Sequence, residues 1–225
     1  MRKVINGTQL KIIALISMLI DHVGLLFFPD IIFFRLIGRI AFPIFAFCIV
    51  EGFFHTTNIQ NYIFRLLIFS LISEIPYNLY HANALFYFDK QNIYFTLLIG
   101  LVLLYECEKI RDKYITFIYL IIAIAWSWLI KSEYIGIGIM TIFCFYLFRD
   151  KALFNIIGQI LISVVYVLAD HGDNIKYLQL AAPLALIPIY LYNGKKGKGM
   201  KYLFYVFYPL HFLILYAIWI YCVGV

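Results

Sequence analysis

From Leu10 to Phe28 the chain is apolar at almost every position, broken only by Lys11, Ser17, Asp21 and His22. A helix rises about 1.5 Å per residue, so about 20 apolar residues cross the roughly 30 Å hydrocarbon core of a bilayer. Runs of this kind recur along all 225 residues, and only 13% of the chain is charged. Soluble domains carry about 25% charged residues, so that class is excluded. Because the runs are continuously apolar rather than alternating, helices are favoured over a β-barrel. The expected fold is all-α, a polytopic membrane helix bundle.

Charged residues, Pro, Gly and Asn interrupt the runs and mark nine expected spans: 10–28, 31–54, 61–79, 92–105, 114–130, 134–148, 152–169, 177–192 and 201–223. The fourth, sixth and eighth are short for a crossing. Lys and Arg favour cytoplasmic loops. Of the 18, Lys90, Lys131 and Lys176 fall on one side, Arg35 and Arg39 lie inside the second span, and the remaining thirteen share the side of the N-terminus. This predicts a cytoplasmic N-terminus and a C-terminus outside. The formal net charge of +6 is then a topology signal and requires no nucleic-acid partner.

Residues 1–11 are short and basic and lead into an apolar run with no small-residue cleavage site, which reads as an uncleaved first span. Cys48, Cys107, Cys144 and Cys222 lack C-x-x-C spacing and a His partner pattern, so they read as small hydrophobes, with no metal site expected. Without a convincing repeat or a long linker, residues 1–225 form a single domain.

Charges inside spans cost about 2.5 to 3.5 kcal/mol each on insertion scales and suggest function by default. His22 lies roughly 18 Å along the first span from Leu10, and Arg39 roughly 12 Å into the returning second span, so the two reach similar depth. Asp21 and His22 are consecutive and cannot share a helix face, whereas Arg35 and Arg39 can. Asp21 is therefore expected to pair with an arginine of the second span while His22 points elsewhere. Arg35, near a helix end, either snorkels to the headgroups or serves a site; Arg39 lies deeper and reads as functional. A histidine near neutral pKa can take a proton from an amine or hydroxyl, and a guanidinium can stabilise an oxyanion.

Further polar groups interrupt other spans. Glu74 and Asn78 share a face beside Pro76, which suits a binding site and equally a helix end. Glu51 and His55 are also four apart, with Arg65 a short loop later. The loop NGKKGKGMK, carrying Lys195, Lys196 and Lys198, resembles a phosphate grip without P-loop spacing, and positive-inside topology also explains it. Tyr208 and His211 flank Pro209, whose ring frees a carbonyl near Tyr205. Asp170, His171 and Asp173 read as a solvated outer loop.

The stretches LKIIALISMLIDHVG, FRLIGRIAFPIFAFCIVEGFFHT, RLLIFSLISEIPYNL, NIYFTLLIGL, YIGIGIM and FYPLHFLILY together resemble the TraX family, named for a conjugation-system protein linked to N-terminal acetylation of pilin. That family is similar to a wider group of transmembrane acyltransferases. The resemblance implies an enzyme integral to the bacterial cytoplasmic membrane, using cytoplasmic acetyl-CoA. It implies His22 as general base, Asp21 as the residue orienting the polar cluster and Arg39 as the group polarising the thioester, with Glu74 counted among the catalytic residues. Glu51, His55, Arg65, Lys195, Lys196 and Lys198 would receive coenzyme A. Arg35, Asn78, Tyr208 and His211 would meet the acceptor, a peptide, amine or sugar. Membrane lipids and a second copy of the chain are the other expected partners. One departure is the Ile, Lys, Asn, Tyr and Phe-rich composition, which suggests an AT-rich genome in which an F-type pilus is unexpected.

The function expected from these residues is acetyl transfer to an amine or hydroxyl. The alternative is a proton-coupled transporter with the same Asp, His and Arg residues as a relay, although the paired interrupted helices of inverted repeats are missing. A purely structural subunit of a secretion or conjugation assembly fits poorly with so many buried ionisable groups.

Overall fold

A computed structural model describes residues 3–169 and 176–223 of the chain. Arg2, Asp170, His171 and Asp173 lie outside the described residues. The helices are α1 (Gly7–Phe27), α2 (Ile32–Gly38), α3 (Ala41–His55), α4 (Ile59–Ala82), α5 (Ile93–Ile110), α6 (Lys113–Leu129), α7 (Ile135–Leu147) and α8 (Ala152–Ala169). A 3-10 segment, Lys176–Ala185, then runs into α9 (Leu186–Tyr190), and α10 is Lys201–Val223. The described residues contain no β-strand, so the expected all-α class holds.

The polar residues that punctuate the sequence act as helix caps. Asn6 and Gln9 form a reciprocal capping box at the start of α1, at 3.0 and 2.9 Å. Asn58, Asn92 and Asp112 cap α4, α5 and α6 by accepting from first-turn amides. Left-handed Asn83 (φ 51°) and Arg111 (φ 55°) end α4 and α5.

Two expected spans differ in their interior. The second breaks after Gly38 into α2 and α3, because Pro43 has no amide hydrogen and its ring crowds the carbonyl four residues earlier, at Arg39. The eighth is mostly a 3-10 helix carrying Pro183. That form rises about 2.0 Å per residue, so ten 3-10 residues and five α residues reach roughly 27 Å, close to a bilayer core despite the short sequence.

Among the described residues, four helical stretches are long and apolar enough to cross a membrane: Gly7–Phe27, Ile32–His55 taken across its break, Ala152–Ala169 and Tyr202–Cys222. Lys113–Leu129 and Ile135–Leu147 are shorter apolar helices. Large apolar side chains stay exposed along these elements and along α4, including Phe64, Leu71, Phe117, Ile121, Leu161 and Leu168. A water-soluble surface rarely leaves so much apolar area uncovered, and lipid is the solvent that suits it. Cys107 and Cys144 are buried, Cys48 is half-buried and Cys222 is exposed; all are free thiols, so only the first two behave as core residues.

The described helices gather into two compact units. The first comprises residues 1–48, 148–204 and 217–225, and the second residues 49–147 and 205–216.

Candidate functional site

In the first unit, α1 and α2 form a tight antiparallel pair around Asp21. A Cβ on Gly38 would overlap the Asp21 carboxylate, and one on Gly24 would overlap Phe34, so both backbones approach as close as glycine permits. Ser17 Oγ donates to the Ile37 carbonyl at 2.6 Å, fixing the register. Onto this platform fold both arginines. Arg35 Nη1 donates to Asp21 Oδ2 at 2.7 Å, and Arg39 Nη2 donates to both carboxylate oxygens at 3.1 and 3.3 Å. Arg39 Nε also donates to the Arg35 carbonyl at 3.2 Å, satisfying an acceptor at the end of the short α2.

The side chains of Asp21, Arg35 and Arg39 are only 11%, 17% and 15% exposed. Arg35 is thus folded back onto the carboxylate, and the expected pairing of Asp21 with the second span involves both arginines. His22, the next residue of α1, is buried.

The second unit holds a different polar group where α4, the start of α5 and the middle of α10 meet. Glu74 Oε1 accepts from the Asn92 amide at 3.1 Å and from Asn92 Nδ2, and that side-chain amide also donates to the Ser70 carbonyl at 2.8 Å. Asn78 Nδ2 donates to the Leu85 carbonyl at 3.2 Å. Tyr208 accepts from the Ile93 amide at 3.3 Å, and His211 Nδ1 faces the Phe207 carbonyl at 3.1 Å. The carbonyl of Tyr205, freed by Pro209 as expected, accepts from Tyr94 Oη at 3.2 Å. Tyr94→Phe is therefore expected to remove a part-buried hydrogen bond and cost about 0.5 to 1.5 kcal/mol, read as a lower melting temperature of the purified protein. An unchanged melting temperature would show that this bond contributes nothing.

The other candidates distribute as follows. Glu51 and His55 pair at 3.8 Å, and the Arg65 guanidinium lies over the Tyr62 ring at 5.6 Å, all in the second unit. Lys195, Lys196 and Lys198 are exposed in the first unit. Their backbone carbonyls are turned onto α1: Lys195 accepts from the Gly7 amide at 2.8 Å and Lys196 from the Thr8 amide at 3.1 Å. A P-loop presents amides in such a place, and here carbonyls take that position.

Thus Asp21, Arg35 and Arg39 converge; in the second unit Glu74 and Tyr208 meet at the start of α5, through Asn92 and Ile93, while Asn78 and His211 bond to the Leu85 and Phe207 carbonyls. The four residues expected to be catalytic divide, with His22, Asp21 and Arg39 in the first unit and Glu74 in the second. Asn92 and Tyr94 were missed as members of the second cluster. Asn92 was legible only as a span boundary and Tyr94 as one aromatic among 19 tyrosines. Their signal is the Glu74 carboxylate and the Tyr205 carbonyl that Pro209 frees, each of which takes a donor from another segment.

Residues 6–219 match the family described as TraX protein. The chain belongs to the TraX protein family. It is 31% identical, over 93% of its length and 94% of the relative's, to a probable fimbrial assembly protein FimC, serogroup H1, of Dichelobacter nodosus. A shorter match, 38% identical over 29% of this chain and 25% of the relative, is to the uncharacterized protein RP591 of Rickettsia prowazekii (strain Madrid E). No solved structure matches significantly.

These matches correct the expected function. The relative that covers nearly the whole of this TraX chain is named for assembling fimbriae, and neither match is named for acetyl transfer from acetyl-CoA or for transport. The physical error lay in reading buried ionisable residues as evidence against an assembly component. Arg35 and Arg39 both pair with Asp21, so these buried charges are compatible with a role in joining α1 to α2.

Proposed function

We propose that this chain is an integral protein of the bacterial cytoplasmic membrane that takes part in building a surface fibre and engages the fibre subunit, a peptide partner, at the membrane. The observation that carries this reading is the fimbrial assembly relative, aligned over 93% of the chain. That alignment also takes in 94% of the relative.

The proposed topology has nine crossings, with α2 and α3 as one and the 3-10 segment with α9 as another. The basic segments, including the Lys195–Lys198 loop, face the cytoplasm, and Lys90 and Lys131 face outward, which is the distribution that the lysine and arginine bias favours.

Chemical crosslinking in growing cells followed by purification of the tagged chain tests the partner. The fibre subunit should be enriched with the chain over an untagged control. Recovery of the chain with no fibre component, under conditions that crosslink a known membrane complex in the same cells, would contradict the proposal.

A further inference from the structure

We infer that the basic end of the first unit is a binding site for the phosphate of an anionic phospholipid, contacted by Lys195, Lys196 and Lys198. A loop reading NGKKGKGM has the composition of a flexible tether. Instead it is pinned. Asn193 donates its amide to the Ile5 carbonyl at 2.8 Å, and the Gly7 and Thr8 amides donate to Lys195 and Lys196. Thr8 Oγ1 lies 3.1 Å from the Lys196 carbonyl and 2.7 Å from that of Lys198.

Gly194 and Gly197, at φ 76° and 77°, allow the chain to double back here, and a Cβ on Gly197 would press on Asn6 and Thr8. With its carbonyls committed to α1, the loop leaves the amides of Lys196, Gly197 and Lys198 with no acceptor among the described residues, beside three exposed ammonium groups.

More positive charge collects at the same end. The Val4 amide donates to Leu191 at 2.8 Å, which brings Lys3 to the loop, and Tyr190 Oη donates to the Ala152 carbonyl at 3.1 Å, which brings Lys151. Asp150 is the one acidic residue in these segments. The lysines flank the ends of α1 and α8, both long and apolar enough to cross a membrane, so they sit at headgroup depth. Juxtamembrane lysine clusters draw anionic headgroups, and a pinned loop loses less freedom on binding than a mobile one.

The test is native mass spectrometry of the full chain in detergent, titrated with phosphatidylglycerol or with phosphatidylcholine. The parent should prefer phosphatidylglycerol, and the variant K195Q/K196Q/K198Q should lose roughly a hundredfold of that affinity. Thr8→Val keeps every charge but releases two of the loop's bonds, and should lose part of the preference while the lysines remain. The melting temperature without lipid is recorded for each variant, and any that melts more than a few degrees lower is replaced by Lys→Gln changes made singly.

Equal binding of the two lipids by the parent would overturn the proposal, as would full preference retained in the triple variant or in Thr8→Val. Displacement of phosphatidylglycerol by millimolar inorganic phosphate would assign the site to a soluble phosphate and overturn the lipid.

Discussion

Replacing Asp21 with alanine is expected to destabilise the chain by about 3 to 5 kcal/mol, because it strands two buried guanidinium groups without their counter-charge. Arg35 and Arg39 both bond to this one carboxylate, at 2.7 and 3.1 Å, and the three side chains are largely shielded. The loss should be visible as a lower melting temperature in detergent and a lower yield from membranes. Asp21→Asn keeps the shape but not the charge and should recover only a little.

The decisive companion is the variant D21L/R35M/R39M, which removes all three charges. Removing a complete buried ion group is often neutral or stabilising where removing one member is not. If the group only locks α1 to α2, the triple variant should fold and still support fibre formation. Stable protein that no longer supports fibres would instead give these residues a direct role.

Gly38→Ala is the second large effect. Its new methyl group would occupy the space of the Asp21 side chain, so either the carboxylate leaves its arginines or α1 and α2 separate. Overpacking alone costs about 1 to 3 kcal/mol, and a disturbed ion group adds to that. The total should rival Asp21→Ala, and combining the two should cost less than their sum, because the ion group can be lost only once, although the Asp21 Cβ, which the new methyl group would also overlap, remains in alanine. Strict additivity would show that Gly38→Ala acts without disturbing the ion group.

The class of fold was legible because lipid imposes one rule on every residue it touches, and composition carries that rule plainly. Helix boundaries were legible for a related reason. Asn6, Asn58, Asn92 and Asp112 punctuate the apolar runs, and the same residues cap helices. The interior of two spans was less legible. Pro43 follows the break between α2 and α3 and Pro183 lies inside the 3-10 segment, and hydropathy is blind to both departures.

In the candidate sites, spacing alone placed Asp21 opposite the arginines and foresaw the Tyr205 carbonyl. It did not supply the donors Asn92 and Tyr94, whose roles depend on another helix. Function was least legible, because a buried charge looks the same in sequence whether it does chemistry or holds two helices together. The triple variant D21L/R35M/R39M is the measurement that separates those readings.

The central claim is participation in fibre building. It is tested most directly by deleting the chain from its host and measuring both the number of surface fibres and the intact mass of their subunits. Fewer fibres, or fibres whose subunits have changed mass, restored by the parent chain supplied in trans, is the expected result. Fibres unchanged in number, length and subunit mass would contradict it.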